Sequence, residues 1–202
     1  MSQRRLLFVC EGNVCRSPYA AIAFRERWET LGGVRPTVVT SAGTRAPVGA
    51  AAHALLGPLV ESEASRTELA EHRARQVDAA TVRTQDLVIT MERAHRGDVL
   101  DLVPAALRRT FTLGELERLG APVLDDWTDD TLRQDDTLHE LLGRRRAVVG
   151  AAPATGDDID DPVGGDSSEF RAMARRVDTA VDELVALLAR FDAATSAQWR
   201  SR

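Results

Sequence analysis

The sequence predicts an α/β protein, a single layer of parallel strands with helices packed on both faces. Two observations carry this. Short apolar or β-branched runs stand at 4–9, 37–43, 86–91 and 108–113, and helix-patterned segments separate and follow them. Strands alternating with helices form βαβ units, whose crossover helices cover both faces of one sheet. A third observation is the tail 167–193, where Phe170, Met173, Val177, Val181, Leu184 and Leu188 make one apolar stripe at helical spacing.

In chain order, "RRLLFV" (4–9) reads as a short buried strand, with a loop at 10–17 immediately after it. "SPYAAIAFRERWE" follows with helix-start chemistry, Ser17 as N-cap and Pro18 at the first helical position. "TVVTSAG" (37–43) is a β-branched strand closed by Gly43. "AAAHALLGPLVES" reads as a helix interrupted near Gly57 and Pro58. "DLVITM" (86–91) is the third strand, with a helix in "MERAHRGDVLDLV", and "RRTFTL" is the fourth. Segment 120–158 carries paired aspartates, an arginine triplet and a small-residue stretch. It is read as a surface insertion with one helix at about 131–149, within a single domain spanning 1–202.

Composition narrows the function. At 202 residues the chain has room for one core. No apolar run approaches the roughly 20 residues of a membrane span, and "LLFVC" is too short for a signal segment. Two cysteines, Cys10 and Cys15, make neither a disulfide framework nor a zinc site, so a cytoplasmic location without bound metal is expected. All 26 basic residues are arginine and the net charge is -5, which argues against a general nucleic-acid binder. Absence of lysine with abundant Ala, Arg and Asp suggests a GC-rich, bacterial genome.

The chemistry concentrates in "FVCEGNVCRSPYA" (8–20). Cys10, five intervening residues, Arg16 and Ser17 lie between a strand and a helix start. Backbone N–H groups curled at a helix N-terminus make a concave anion site, aided by the helix dipole. Gly12 permits close backbone approach, and Asn13 tolerates the left-handed conformation that such a curl needs. Arg16 offers a planar fork for two phosphate oxygens. Cys10, at the centre of that field, is expected as the thiolate, with the Ser17 hydroxyl donating to its sulfur. Glu11, Gly12, Asn13, Val14 and Cys15 would supply the cradle. The Glu11 carboxylate must turn outward, since inside the loop it would repel a dianion. A Walker-type nucleotide loop is excluded by the missing Gly-Lys-Ser/Thr. A thiolate attacking phosphorus needs an acid for the leaving oxygen. The best place is "DDIDDPVGGDSSEF" (157–170), where Asp161 precedes Pro162 and is held extended.

These residues resemble the low-molecular-weight protein tyrosine phosphatases. The resemblance runs through "FVCEGNVCRSPYA", "SAGT" (41–44), "EHRARQ" (71–76), "DLVITMERAHR" (86–96) and "IDDPVGGDSSEF" (159–170). It implies a four-stranded parallel sheet in a three-layer αβα fold, and no cofactor. It implies Cys10 as nucleophile, Arg16 as phosphate clamp, Asp161 as general acid and Ser17 as the hydroxyl steadying the thiolate. Asn13, Ser41 and His72 would hold the loop in shape, and Cys15 would form a reversible disulfide with Cys10. From the residues alone, Ser41 reads as a turn residue and His72 as a solvated residue of a charged helical run. His53, His95 and His139 read as surface residues.

The expected reaction is hydrolysis of a phosphate monoester through a cysteinyl-phosphate, on a phosphotyrosine protein or a small phosphomonoester, by a monomer or weak dimer. Three other readings stay open. Arsenate reduction on the same fold lacks the downstream cysteines of the thioredoxin-coupled enzymes. A non-catalytic phosphate-binding regulator would have no need of nucleophile, arginine and acid together. Phosphoarginine phosphatases resemble the chain too, but tend to carry threonine where Val14 stands. Val163 and Gly164 occupy the places after the Asp-Pro pair where phosphotyrosine enzymes often have aromatic residues.

Overall fold

A computed structural model describes residues 3–32, 35–125, 137–150 and 156–200. Four strands, β1 (Arg4–Cys10), β2 (Thr37–Gly43), β3 (Leu87–Thr90) and β4 (Thr110–Thr112), form one all-parallel sheet in the order β2-β1-β3-β4. Each lies where an apolar or β-branched run predicts it: β1 runs one residue further, to Cys10, β2 matches, and β3 and β4 are trimmed by a residue or two at the ends. β1 is nearly continuous in apolar residues because both its faces are covered. Leu6, Phe8 and Cys10 enter one core with Leu87, Ile89 and Phe111, while Leu7 and Val9 enter a second with Val88 and Ala42.

The first core is closed by α1 (Arg16–Thr30), α5 (Leu113–Asp125) and α7 (Ser167–Arg200). The predicted stripe of α7 is buried throughout, and the helix starts where Asp166 Oδ1 accepts from Ser168 N at 2.6 Å. The second core is closed by α3 (Ala79–Arg83) through Val82 and α4 (Arg93–Leu102) through Val99. α2 (Glu63–Glu71) is capped by Ser62, whose hydroxyl accepts from Ser65 N at 3.0 Å.

Several expectations fail for identifiable reasons. Ser17 is not the N-cap of α1: the helix begins at Arg16 with Cys15 in the cap position, and Pro18 sits in the first turn rather than at its first residue. The Ser17 hydroxyl bonds Cys10 and Asn13 instead of helix amides. The stretch around Gly57 and Pro58 is a 3₁₀ segment, Ala54–Leu59, and not a longer interrupted helix. α5 was unforeseen, since Gly114, Gly120 and Pro122 argue against a helix. Burial of Leu113, Leu116 and Leu119 outweighs that propensity. A Cβ at Gly114 would lie 2.7 Å from the Asp157 carbonyl oxygen, so the glycine serves a close chain crossing. Of the helix expected at about 131–149, the described part is α6 (Leu138–Val149), and residues 126–136 lie outside the described residues. α6 opens on a Thr137/Glu140 capping box and buries Leu141 and Leu142 in the first core.

In this strand order, β1 sends its chain to one side through α1 and its neighbour β3 belongs to the other half of the fold. Ligand crevices open beyond the carboxyl ends of strands at such a switch. Cys10, Gly43 and Met91 mark that edge, with Cys10 in register with Gly43.

Candidate active site

Cys10 is the last residue of β1, and its sulfur lies 3.2 Å from Asn13 N and 3.0 Å from Ser17 Oγ. Asn13 has φ +52°, the left-handed conformation expected of it. Its side chain joins three segments of the chain. Nδ2 donates to Ser17 Oγ and to Ser41 Oγ, both at 2.9 Å, and Oδ1 accepts from Arg75 N at 2.9 Å. With Nδ2 donating to it, the Ser17 hydroxyl has Cys10 Sγ at 3.0 Å and the Ala42 carbonyl at 3.3 Å within reach of its own hydrogen.

The loop carbonyls are taken from behind. Cys10 O accepts from Thr44 N, Glu11 O from Arg45 N and Val14 O from His53 N, at 2.8–2.9 Å. Asn13 O accepts from His72 Nε2 at 2.7 Å, so Nε2 carries the ring proton. A trans peptide points its N–H opposite to its carbonyl. Tying the carbonyls outward therefore turns the amides of the following residues toward the concave side. Within the chain, close approach demands glycine at position 43 rather than 12: a Cβ there would stand 2.4 Å from Glu11 O and 2.9 Å from Asn13 N.

Arg16, 1% exposed, lies beneath this loop. Nη2 donates to Asp161 Oδ2 at 2.5 Å, while Nη1 donates to the Ile159 carbonyl at 2.9 Å and pairs with Glu92. Asp161 Oδ1 accepts from Val163 N at 3.1 Å, which fixes the carboxylate at the mouth of the site. The segment carrying it is anchored by Ile159 N to Met91 O and by Arg93 N to Asp158 Oδ1, both 2.8 Å. A thiol, a guanidinium and a carboxylate, those of Cys10, Arg16 and Asp161, thus meet at the carboxyl end of the sheet, from positions as far apart as 10 and 161. Among the described residues, no group of three or more His, Cys, Asp or Glu side chains could hold a metal ion.

The remaining predicted residues fall around this centre. Ser41 and His72 reach the loop through Asn13: Ser41 lies within β2 and not in the turn that local sequence suggests, and His72 is half-buried rather than solvated. Burial lowers the His72 pKa against the pull of the Asn13 carbonyl. Glu11 turns away from the loop to Arg45 Nε at 2.9 Å, its carboxylate about half exposed. Cys15 is buried, and burial, followed by the Asp161 and Cys10 charges, pushes its thiol up to about 12, so it stays protonated at neutral pH. Both cysteines are free thiols.

His95 corrects the reading of it as a surface residue: it is 2% exposed, on the inner face of α4, with Nε2 3.9 Å from Glu92. His53 stacks on Phe170 and His139 is partly buried. Sequence reasoning missed Glu92, Gly43 and Arg75. Glu92 follows β3 by two residues, at the strand end where ligand-facing groups collect, and that position was the available signal. The roles of Gly43 and Arg75 are close approach and a backbone N–H, which residue identity does not advertise.

Residues 5–119, more than half of the chain, match the family model of the low molecular weight phosphotyrosine protein phosphatases. The low molecular weight protein-tyrosine-phosphatase Wzb of Salmonella typhi is 36% identical over 112 residues, covering 54% of this chain and 68% of Wzb. A protein-arginine-phosphatase of Geobacillus stearothermophilus is 28% identical over 180 residues, 89% of this chain and 93% of that protein. In fold, the chain resembles the low molecular weight protein tyrosine phosphatase of T. tengcongensis, with a TM-score of 0.64 at 23% identity over 90% of this chain and 97% of the other. With the thiol loop and its arginine at the end of β1, the matched stretch includes the nucleophile, and the chain belongs to the low molecular weight phosphotyrosine protein phosphatase family.

Proposed function

We propose that this protein hydrolyses phosphate monoesters, foremost phosphotyrosine in proteins, through a covalent cysteinyl-phosphate, as one domain with 120–158 inserted. The observation that carries the reading is the donor pair on the Cys10 sulfur, Asn13 N at 3.2 Å and Ser17 Oγ at 3.0 Å, inside a loop whose amides face inward above Arg16. Such preorganised donors stabilise a thiolate and then the charge on a transferring phosphoryl group.

In the first step the phosphoryl oxygens take the loop amides and Arg16, displacing the Asp161 carboxylate from Nη2. The Cys10 sulfur forms a bond to phosphorus while the ester P–O bond breaks, and Asp161, having taken a proton from solvent once it leaves Arg16, gives that proton to the leaving oxygen. In the second step Asp161 takes a proton from water, whose oxygen attacks phosphorus as the S–P bond breaks. Ser17, donating to sulfur, makes the thiolate the better leaving group. Cys15, buried behind the nucleophile, is the partner for a reversible disulfide that protects Cys10 during oxidation. The protein would work in the cytoplasm, as a monomer or weak dimer.

Cys10→Ser should abolish hydrolysis of p-nitrophenyl phosphate, and Asp161→Asn should slow substrates with poor leaving groups most. Normal turnover by the Cys10→Ser protein would refute the mechanism. A second reading, phosphoarginine as substrate, is favoured by the arginine phosphatase relative that aligns with 89% of the chain. Val14 argues for phosphotyrosine. Rates on phosphotyrosine, phosphoarginine and phosphoserine peptides, with arsenate alongside, decide between them.

A further inference from the structure

Between α4, α5 and α6 lies a cavity of about 300 Å³ that contains no residue of the Cys10–Ser17 loop. Its charged lining is Arg93, Arg96, Arg118 and Arg146 against Glu115 and Asp157, so guanidinium groups outnumber carboxylates by two. The carboxylates are already engaged. Asp157, 3% exposed, is held by Arg118 Nε at 2.9 Å and by Arg93 Nη2 at 3.1 Å. Glu115, 6% exposed, takes both forks of Arg146, at 2.7 and 2.8 Å. Arg96 comes no nearer to Glu115 than 3.8 Å, and its Nε is buried without a hydrogen-bond partner among the described residues.

A buried guanidinium N–H left unpaired costs stability, so the arrangement is explained if another group supplies the acceptor. Removal from water raises the cost for Arg96, whose charged form is further disfavoured by neighbouring Arg146. The cavity has the size of a small-ligand site at the lower end of the usual range. Arg96, together with the Arg146 Nη1 that Glu115 does not take, presents guanidinium N–H groups that match the oxygens of a phosphate or similar oxyanion.

We propose that this cavity is a second anion site, separate from the phosphate loop, which binds compact polyanionic small molecules of the phosphate class through Arg96 and Arg146. Arg146 reaches it from α6, within the inserted segment, where it also stacks on Phe111 at 4.2 Å. The segment thereby supplies one wall of a binding site.

Calorimetric titration with pyrophosphate tests this. The native chain should bind at two sites, the phosphate loop and this cavity. Arg96→Gln should weaken the second by about tenfold or more, as expected for loss of a charge-assisted hydrogen bond, and leave p-nitrophenyl phosphate turnover measured without pyrophosphate unchanged. Glu115→Gln, which removes a negative charge from the wall while keeping its shape, should tighten the second site several-fold. A purely structural network would give no such opposite pair of effects. Pyrophosphate binding in the native chain that neither Arg96→Gln nor Glu115→Gln moves, at one site or at two, would overturn the proposal. A single site that both variants move would instead locate the failure in the phosphate loop, where the Cys10→Ser protein tests it separately.

Discussion

The nucleophile loop between β1 and α1 is closed by short hydrogen bonds, most of them between neutral groups, whereas the acid segment 157–161 is held across from it mainly by charge. Asn13 alone ties Ser17, Ser41 and Arg75 N into one net, and the carbonyls of Cys10, Glu11, Asn13 and Val14 are each matched by a donor. Asp161 and Glu92 lean on Arg16, and Asp157 on Arg93 and Arg118. The difference suits the tasks. An oxyanion cradle works only if its donors are already in place, so it is fixed by directional bonds. On the proposed mechanism, a segment that gives up the arginine to an arriving phosphate is better held by an ion pair that another anion can replace.

The largest effect should come from breaking the loop's net at Asn13. Asn13→Ala leaves the Ser41 hydroxyl and Arg75 N–H without a buried partner and places a less tolerant residue at φ +52°. Each unmet buried group costs about 1–3 kcal/mol, and the left-handed backbone about 1–2 kcal/mol more. The expected loss is about 3–8 kcal/mol in urea unfolding, with turnover of p-nitrophenyl phosphate down by about a hundredfold through misplaced donors. Unchanged turnover would show that the net does not set the cradle.

On the charged side, Glu92→Gln keeps the shape of the Arg16 partner and removes its charge. Arg16 then retains the Ile159 carbonyl and Asp161 but loses the pairing that fixes Nη1. The expected outcome is a fall of about tenfold in kcat, of the order seen when one positioned charge is lost, with little change in unfolding. An equal fall from Glu92→Ala and Glu92→Gln would assign the role to charge; rescue by Glu92→Gln would assign it to shape.

Acid should act on the two sides in different windows. Burial lowers the pKa of His72 and of His95, so each binds its proton more readily in the unfolded chain. The stability they allow is complete above the ordinary histidine value of about 6.5 and is lost as pH falls below it. Asp157 is lowered by Arg118 and Arg93 despite its burial, so its contribution is complete above about 3.9 and is lost as pH falls through its lower folded value. Unfolding free energies measured from pH 7 to 3 should show both slopes. His72→Gln should remove about one proton from the upper window, and Asp157→Asn should flatten only the lower one. A single window would mean that the histidines titrate alike in both states.

Some of this architecture was legible in the residues and some was not, for physical reasons. The strands could be read because β1 and β3 are buried on both faces and must be apolar. The loop could be read because nucleophile, clamp and hydroxyl lie within eight consecutive residues. Ser17 misled because the same hydroxyl that caps a helix in most settings here serves a sulfur, a competition settled only by where β1 ends. His95 misled because a polar residue flanked by arginine and alanine carries no mark of the face it occupies. Glu92 and the Ile159 carbonyl were invisible because they act on Arg16 from 76 and 143 positions away. α5 was hidden by Gly114, which is there for its contact with Asp157.

The smallest effect belongs to Glu11, at the rim where the two sides meet. Its carboxylate faces Arg45 on the surface, where an ion pair contributes little to folding and is screened by salt. Its backbone belongs to the loop, so its side chain can alter what approaches the cradle without altering the cradle. Glu11→Gln should therefore leave the stability and the turnover of p-nitrophenyl phosphate as they are. It should improve the relative kcat/KM for phosphopeptides with acidic residues beside the phosphorylated side chain, by a few-fold at low salt and less at high salt. An unchanged ratio between acidic and neutral peptides would mean that the rim charge takes no part in selection, and that Arg45 neutralises it fully.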